Sequence, residues 1–176
     1  NANAQIPSKV NFDDYEKLTK EVNLYRKDRL INWNTFNLYS KEAKTVILDT
    51  RSKEMYDRKH LKGAIHLNFS DFTQDNLARL IPDPNTRILI YCNNNFSNDA
   101  PPVMLKRVEL ALNIQTFINL YGYGYRNVYE LMTFYDNHDM PRMDASDEGF
   151  IDAHNWLFTA RGIPVVYYGS EMGFIR

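Results

Sequence analysis

The chain has 176 residues and a mass of 20.7 kDa, with 44% hydrophobic and 14% aromatic residues, which excludes general disorder. Its 21 basic and 22 acidic residues give a net charge of −1, so a nucleic-acid partner is not expected. The single Cys excludes an internal disulfide and a multi-cysteine zinc site, and no apolar run approaches the ~20 residues of a membrane helix.

The first residues leave two compartments open. Ala2-Asn3-Ala4 has the small-x-small form of a signal-peptidase cleavage site, which indicates export to the periplasm or the medium. The alternative is a cytoplasmic protein. Residues 1–33, which include these first residues, are predicted to form a helical extension, with Asn11 as the N-cap of its helix.

Strands and helices are then predicted to alternate. The expected helices cover 34–40, 52–58, 71–80 and 115–123, and the expected strands cover 45–49, 63–68, 86–91 and 127–131. The strand at 86–91 is almost continuously apolar, which is typical of a central parallel strand covered on both faces. The pattern predicts an α/β fold with right-handed crossovers.

Cys92 is the candidate nucleophile. It follows the apolar strand at the edge where open parallel sheets bind ligands. Pro101 and Pro102 fit the first turn of a helix after the intervening loop, and the N-terminus of a helix favours an anion. The sequence therefore predicts a thiolate with a lowered pKa. The alternative is an inert, buried Cys at the end of a core strand.

Four segments, in this order, resemble the signatures of the rhodanese family. They are Ile-Leu-Asp-Thr-Arg-Ser at 47–52, Tyr56 with Lys-His-Leu-Lys-Gly-Ala at 59–64, Ile-Leu-Ile-Tyr-Cys at 88–92, and Asn-Val-Tyr-Glu-Leu at 127–131. The resemblance covers residues 34–131, and the Tyr-Cys-Asn-Asn-Asn-Phe loop is similar to that of one subgroup of single-domain members. It implies a rhodanese-like open parallel sheet with helices on both faces.

The resemblance also implies a sulfurtransferase of the thiosulfate or thiol type. Cys92 would take sulfane sulfur from a small donor, hold it as a persulfide and pass it to a thiol or cyanide, without a cofactor. The backbone N–H groups of the loop would cradle the anionic persulfide; the loop residues are Asn93, Asn94, Asn95, Phe96, Ser97 and Asn98. Structural or rim positions are implied for Asp49, Arg51 and His60.

The loop departs from the family pattern in its charge. No cation lies between Cys92 and Asn98, which makes thiosulfate a doubtful donor. Asn98 also stands where the Cys-x5-Arg pattern of phosphatases requires Arg, so a phosphatase is not expected. A catalytically silent binding module of the same fold, with residues 121–125 contributing to a protein partner's surface, is the alternative function.

Residues 132–176 resemble a different family. Residues 133–139 and 162–171 are similar to the last two strands of an α-amylase barrel, which implies sugar contacts for His138 and Asp139. Two strands cannot close an eight-stranded barrel, and the further carboxylates that glycoside hydrolysis needs are missing. We expect a helix-strand tail that is inactive alone and not an independent domain, whether it arose as a natural fusion, a designed chimera or an assembly error.

No metal site is predicted in this tail. His138, Asp139 and His154 are possible ligand types, but their spacing matches no metal-binding template.

Overall fold

Parallel strands form the centre of the computed structural model, which describes residues 9–96 and 103–132. The strands are β1 (Leu30–Ile31), β2 (Thr45–Asp49), β3 (Ala64–His66), β4 (Arg87–Tyr91) and β5 (Val128–Leu131). They form one sheet in the order β1-β5-β4-β2-β3, and every pair is parallel. The predicted α/β fold with an open parallel sheet is confirmed.

β4 lies in the middle of this sheet and is covered on both faces. Ile88 and Ile90 belong to one hydrophobic cluster, while Leu89 and Tyr91 belong to a second one, because successive side chains of a strand point to opposite faces. All four side chains are buried. This explains the almost continuous apolar sequence of the strand.

The helices pack on both faces of the sheet. They are α1 (Phe12–Tyr25), α2 (Trp33–Tyr39), α3 (Lys53–Arg58), α4 (Gln74–Leu80) and α5 (Leu112–Gly122). α1, α4 and α5 contribute to the cluster around Ile88, whereas Phe36 of α2 is buried in the cluster around Leu89. None of the described helices is long and apolar enough to cross a membrane.

Side chains that accept backbone N–H bonds mark the starts of four helices. The N-caps are Asn11, Asn32, Ser52 and Thr73, for α1, α2, α3 and α4 respectively. The predicted N-cap role of Asn11 is confirmed. The helix predicted from residue 71 begins later, because Thr73 caps it and residues Phe69–Asp71 form a separate 3₁₀ turn.

The N-terminal segment belongs to the same sheet. β1 pairs with β5, with Leu30 opposite Glu130, although two residues are too short to give a strand pattern in the sequence. Val22 of α1 lies in the same cluster as residues of α5, and Gly122 lies where an added Cβ would be 3.3 Å from Leu18. The absence of a side chain at Gly122 thus permits the close approach of α1 and α5.

Candidate functional site

Cys92 lies directly after β4, at the carboxyl edge of the sheet. Its side chain is 2% exposed, and its extended backbone opens a 3₁₀ turn over Asn93–Asn95. The neighbouring parallel strand β2 ends at the same edge and is followed by Thr50 and Arg51. The structure therefore places the predicted nucleophile where ligands bind to open parallel sheets.

Asn93 and Asn94 join the turn to more distant parts of the chain. The Asn93 side chain donates to the carbonyl of Met104 at 2.9 Å and accepts from the Arg51 guanidinium at 3.0 Å. The Asn94 side chain donates to the carbonyl of Lys106 at 2.8 Å and accepts from its backbone N–H at 3.3 Å. These amides hold residues 104–106 beside the turn.

Asn95 joins the turn to the two elements beside it. Its side-chain oxygen accepts from the backbone N–H of Cys92 at 2.9 Å and from the Asn113 side chain at 3.2 Å. Its side-chain nitrogen donates to the carbonyl of Leu131, at the end of β5, at 2.8 Å. One amide group thus sets the position of the Cys92 backbone relative to α5 and β5.

The environment of the sulfur raises and lowers its pKa by opposing effects. Burial raises the pKa of the Cys92 thiol, and the nearby Glu130 carboxylate adds to this increase. Backbone N–H groups of Asn113, Asn94 and Leu112 donate to the sulfur and act in the opposite direction. The net shift is upward, so the predicted lowering of the Cys92 pKa is wrong for this conformation, because burial outweighs the N–H groups.

The described N–H groups around the sulfur come from two parts of the chain. The N–H group of Phe96 donates to the carbonyl of Asn93 inside the turn, and that of Asn95 is shared between the Cys92 carbonyl and the Cys92 sulfur. Within the described residues, the backbone N–H groups that act on the sulfur are those of Asn94 and Asn95 in the turn and of the first two residues of α5. The N–H groups around the sulfur are therefore shared between the turn and a helix that begins about twenty residues after Cys92.

The helix predicted to start at Pro101 is not found where the structure describes the chain. Residues 103–107 are not helical, and Val108–Leu110 form a single 3₁₀ turn before α5. The helix predicted from 115 begins at Leu112, and its N-cap, Ala111, makes no side-chain bond to the helix. Sequence reasoning missed Leu112 and Asn113 because no capping residue marks this helix start.

Asp49, Arg51 and Tyr91 form a buried network beside the turn. The Arg51 guanidinium donates to the Asp49 carboxylate at 2.7 to 3.1 Å, and the Tyr91 hydroxyl donates to the same carboxylate. Arg51 also donates to the carbonyl of Lys59 at 2.6 Å, in addition to its bond with Asn93. The Asp49 and Arg51 side chains are 0% and 6% exposed, so the pair is a structural support beneath the site.

The network changes the pKa values of its members. Burial alone raises the pKa of Asp49, but hydrogen bonds from Arg51 and Tyr91 outweigh it, and the pKa lies below its ordinary value. Burial and the hydrogen bond to Asp49 raise the pKa of Tyr91. Asp49 is thus held as a carboxylate and Tyr91 as a neutral phenol.

His60 lies outside the site of Cys92. It is exposed, its ring stacks on Tyr56 with centroids 4.0 Å apart, and its Nδ1 donates to the Tyr56 carbonyl at 2.8 Å. It lines a separate small cavity of about 40 Å³ with Arg51 and Tyr91. His60 therefore does not line the cavity that contains Cys92.

A cavity of about 330 Å³ opens in front of Cys92. Its walls come from the segments after β2 and β3, from α3, from the Cys92 turn with the residues that its amides hold, and from the start of α5. They include Met55, Phe69, Cys92, Met104, Lys106 and Leu112. Sequence reasoning missed Lys106, because no pattern in the sequence brings a residue so far along the chain back to the Cys92 turn.

Two other groups of predicted residues have different outcomes. The first group lies outside the described residues; it consists of Ser97, Asn98, His138, Asp139, His154 and the rest of the tail from residue 133.

The second group is the predicted partner surface at residues 121–125. Tyr121 and Tyr125 of this segment are buried, and their hydroxyls donate to Glu21 and to the carbonyl of Ile81 respectively. These two rings belong to the core, because their apolar faces pack against α1 and the sheet.

Comparison with known proteins identifies one family model and several partial relatives. The model described as rhodanese-like domain matches residues 34–137. A cyclomaltodextrin glucanotransferase of Paenibacillus macerans is 29% identical over 112 residues, which are 62% of this chain and 15% of that protein. An alpha-amylase of Streptomyces lividans is 41% identical over 61 residues, covering 27% of this chain and 7% of that protein.

A cyclomaltodextrin glucanotransferase of Geobacillus stearothermophilus is 46% identical over 51 residues, which are 27% of this chain and 7% of that protein. The chain thus spans 7% to 15% of the length of these three relatives.

Proposed function

Because the chain belongs to the rhodanese-like domain family, we propose that it is a sulfurtransferase in which Cys92 carries sulfane sulfur as a persulfide. The observation that supports this proposal is the environment of the Cys92 sulfur, which has backbone N–H groups of the turn and of α5 around it and an open cavity in front of it. N–H groups that are already oriented stabilise a sulfur anion without reorganising during the reaction.

The reaction has two displacement steps. The Cys92 thiolate attacks the sulfane sulfur of a donor, the donor's bond to that sulfur breaks, and the rest of the donor leaves with the electron pair. A thiolate or cyanide acceptor then attacks the outer sulfur of the persulfide, and the Cys92 thiolate leaves. No outside oxidant or reductant is needed, because the sulfur is transferred without a net change in its oxidation state.

The raised pKa of Cys92 limits the first step. Only the thiolate is an effective nucleophile, so the loading rate should follow the thiolate fraction as the pH rises. The midpoint of this curve should lie above the ordinary thiol pKa. The N–H groups of Leu112 and Asn113 reduce this limitation and would also bind the anionic persulfide.

Intact-mass spectrometry tests the sulfur-carrier role. Incubation of the full chain with several sulfane-sulfur donors should add the mass of one sulfur, which cyanide should remove. Cys92→Ser should gain no mass, because the replacement hydroxyl cannot form a persulfide. If wild type and Cys92→Ser behave alike with every donor, the sulfurtransferase proposal is wrong.

A silent binding module is the second candidate, favoured by the burial of Cys92 and its raised pKa. In this case the cavity would hold a ligand or a partner's side chain without sulfur transfer. A Cys92 that reacts slowly with alkylating agents and gains no sulfur from any donor would favour this function.

The partial relatives lead to a second proposal, which concerns the origin and activity of the tail. We propose that residues 132–176 derive from an α-amylase-type barrel and have no glycosidase activity alone, since glycoside hydrolysis needs paired carboxylates on a closed barrel. Starch hydrolysis by the full chain that Asp139→Ala abolishes would contradict the proposal that the tail is inactive.

The Tyr-Cys-Asn-Asn-Asn-Phe loop supports a separate proposal, the assignment of the chain to the single-domain subgroup with this loop sequence.

A further inference from the structure

The cavity in front of Cys92 is larger than a small inorganic ion requires. Its volume of about 330 Å³ is at the lower end of the range for pockets that bind small organic molecules. Cyanide or thiosulfate has only a few atoms and would fill a fraction of it. The space beyond the sulfur is thus suited to a ligand with a carbon skeleton.

Apolar side chains form much of the cavity wall. Met55 of α3 is buried, Phe69 and Leu112 are partly buried, and Met104 is exposed at the opening. Phe69 is held in place by ring contact with Phe72, whose centroid is 5.8 Å away. A ligand's methylene groups would leave water on binding to this wall, which is favourable.

The polar groups of the wall are mostly used within the protein. The Asn93 and Asn94 side chains bond to residues 104 and 106. The Arg51 charge is balanced by the Asp49 carboxylate at 2.7 Å. These groups shape the cavity and offer little net charge to a ligand.

Lys106 supplies the positive charge of the cavity. Its side chain is exposed, and within the described residues it forms no ion pair. Two hydrogen bonds join the Lys106 backbone to the side chain of Asn94, which belongs to the turn directly after Cys92. Lys106 thus lines the same cavity as Cys92, although the loop from Cys92 to Asn98 contains no cation.

We propose that this cavity selects a small organic thiol with a carboxylate as the acceptor of the Cys92 sulfur, and that Lys106 determines this specificity. The thiolate lies at the persulfide, the carbon chain contacts Phe69 and Leu112, and the carboxylate pairs with the Lys106 ammonium. The proposal rests on the sulfurtransferase function and names its acceptor.

The transfer step is balanced without a co-reactant. The acceptor thiolate attacks the outer sulfur of Cys92–S–SH, the S–S bond of the persulfide breaks, and its electron pair returns to the Cys92 sulfur. The products are the Cys92 thiolate and the acceptor persulfide, which carries the proton. Lys106 touches only the carboxylate and is a specificity-determining residue.

The test compares acceptors that differ in charge. The full chain is loaded with sulfur from polysulfide, desalted, and mixed with 3-mercaptopropionate, 2-mercaptoethanol or cysteamine at equal thiolate concentrations. Loss of the added sulfur, followed by mass spectrometry, should be fastest with 3-mercaptopropionate and slowest with cysteamine. Lengthening the acid should raise the rate by up to about fourfold per methylene until the cavity is full.

Lys106→Gln should reduce the rate with 3-mercaptopropionate about two- to fivefold, as for an exposed ion pair, and leave 2-mercaptoethanol unchanged. Lys27→Gln is the matched control, because Lys27 is exposed and lies before the amino end of β1, whereas Cys92 follows the carboxyl end of β4. Equal rates for the three thiols, or an unchanged preference in Lys106→Gln, would overturn the acceptor proposal alone. Failure of the polysulfide to load Cys92 would instead overturn the sulfurtransferase function and this inference with it.

Discussion

Asp49 shows how one buried residue supports the site without taking part in its chemistry. Its carboxylate accepts from Arg51 and Tyr91, and Arg51 in turn donates to Asn93 of the Cys92 turn. The charge pair is almost fully desolvated. Its favourable energy depends on both partners, because a single buried charge has neither water nor a counter-ion.

Asp49→Asn should therefore destabilise the protein by about 3–5 kcal/mol at neutral pH, since the Arg51 charge loses its partner. Urea unfolding followed by circular dichroism measures this change. Asp57→Asn is the control, because Asp57 forms an exposed pair with Lys53 on α3, and its loss should cost less than about 1 kcal/mol.

The same pair predicts a pH dependence. The pKa of Asp49 is lower in the folded than in the unfolded chain, so its stabilisation is complete above the unfolded pKa of about 3.9. It is lost as the pH falls through the folded pKa. The stability difference between wild type and Asp49→Asn should thus shrink below about pH 4. A difference that stays constant into acid would show that the charge is not the cause.

For single residues, the sequence predicted the position of Cys92 in the fold but not the direction of its pKa shift. A Cys at the carboxyl end of an apolar strand follows from the strand pattern, and the structure places Cys92 there. The direction of the pKa shift depends on how deeply the sulfur is buried and on Glu130 of β5, and neither is visible in the residues around Cys92.

The Cys92 turn is the element that organises the site. The side chains of three consecutive asparagines bond to other parts of the chain, Asn93 and Asn94 to the segment 104–106 and Asn95 to the end of β5, which explains why amides follow Cys92 instead of cations. The sequence predicted a loop that binds an anion by its backbone. It could not predict that the N–H groups of Leu112 and Asn113 also act on the sulfur, because this requires the three-dimensional path from 103 to 111.

Asn95→Ala tests the structural role of the turn. The Cys92 N–H and the Leu131 carbonyl would lose their partner, so we expect a loss of about 1–3 kcal/mol of stability. Sulfur loading should also slow, because the sulfur is no longer fixed against α5. Asn37→Ala, on the exposed face of α2, is the matched control. Loading at the wild-type rate in Asn95→Ala would show that α5 alone positions Cys92.

At the scale of the whole molecule, the N-terminal segment closes one side of the sheet. β1 forms the edge next to β5, and Arg26 donates to the Glu130 carboxylate at 2.8 Å. The sequence pattern placed a helical extension at 1–33 beside a domain at 34–131. Helix periodicity identified α1, but the pairing of two residues with a strand a hundred positions later leaves no local signal.

Val22→Ala measures whether this segment folds together with the sheet. Val22 is 2% exposed in the cluster shared by α1, α5 and β4, so its truncation should cost about 1.5–3 kcal/mol. Leu24→Ala on the same helix is the control, because Leu24 is 68% exposed and should change stability by less than about 0.5 kcal/mol.

If α1 and the sheet form one cooperative unit, Val22→Ala should lower the midpoint of a single urea transition, and sulfur loading of Cys92 should fall at the same urea concentration. Separate folding of residues 1–33 would instead leave the main transition and the loading curve unchanged, with an additional early loss of helix signal. The two outcomes differ because Arg26 and β1 contact β5, whose last residue, Leu131, also accepts from the Asn95 side chain beside Cys92. Stability of the N-terminal segment is thus connected to the site through one strand.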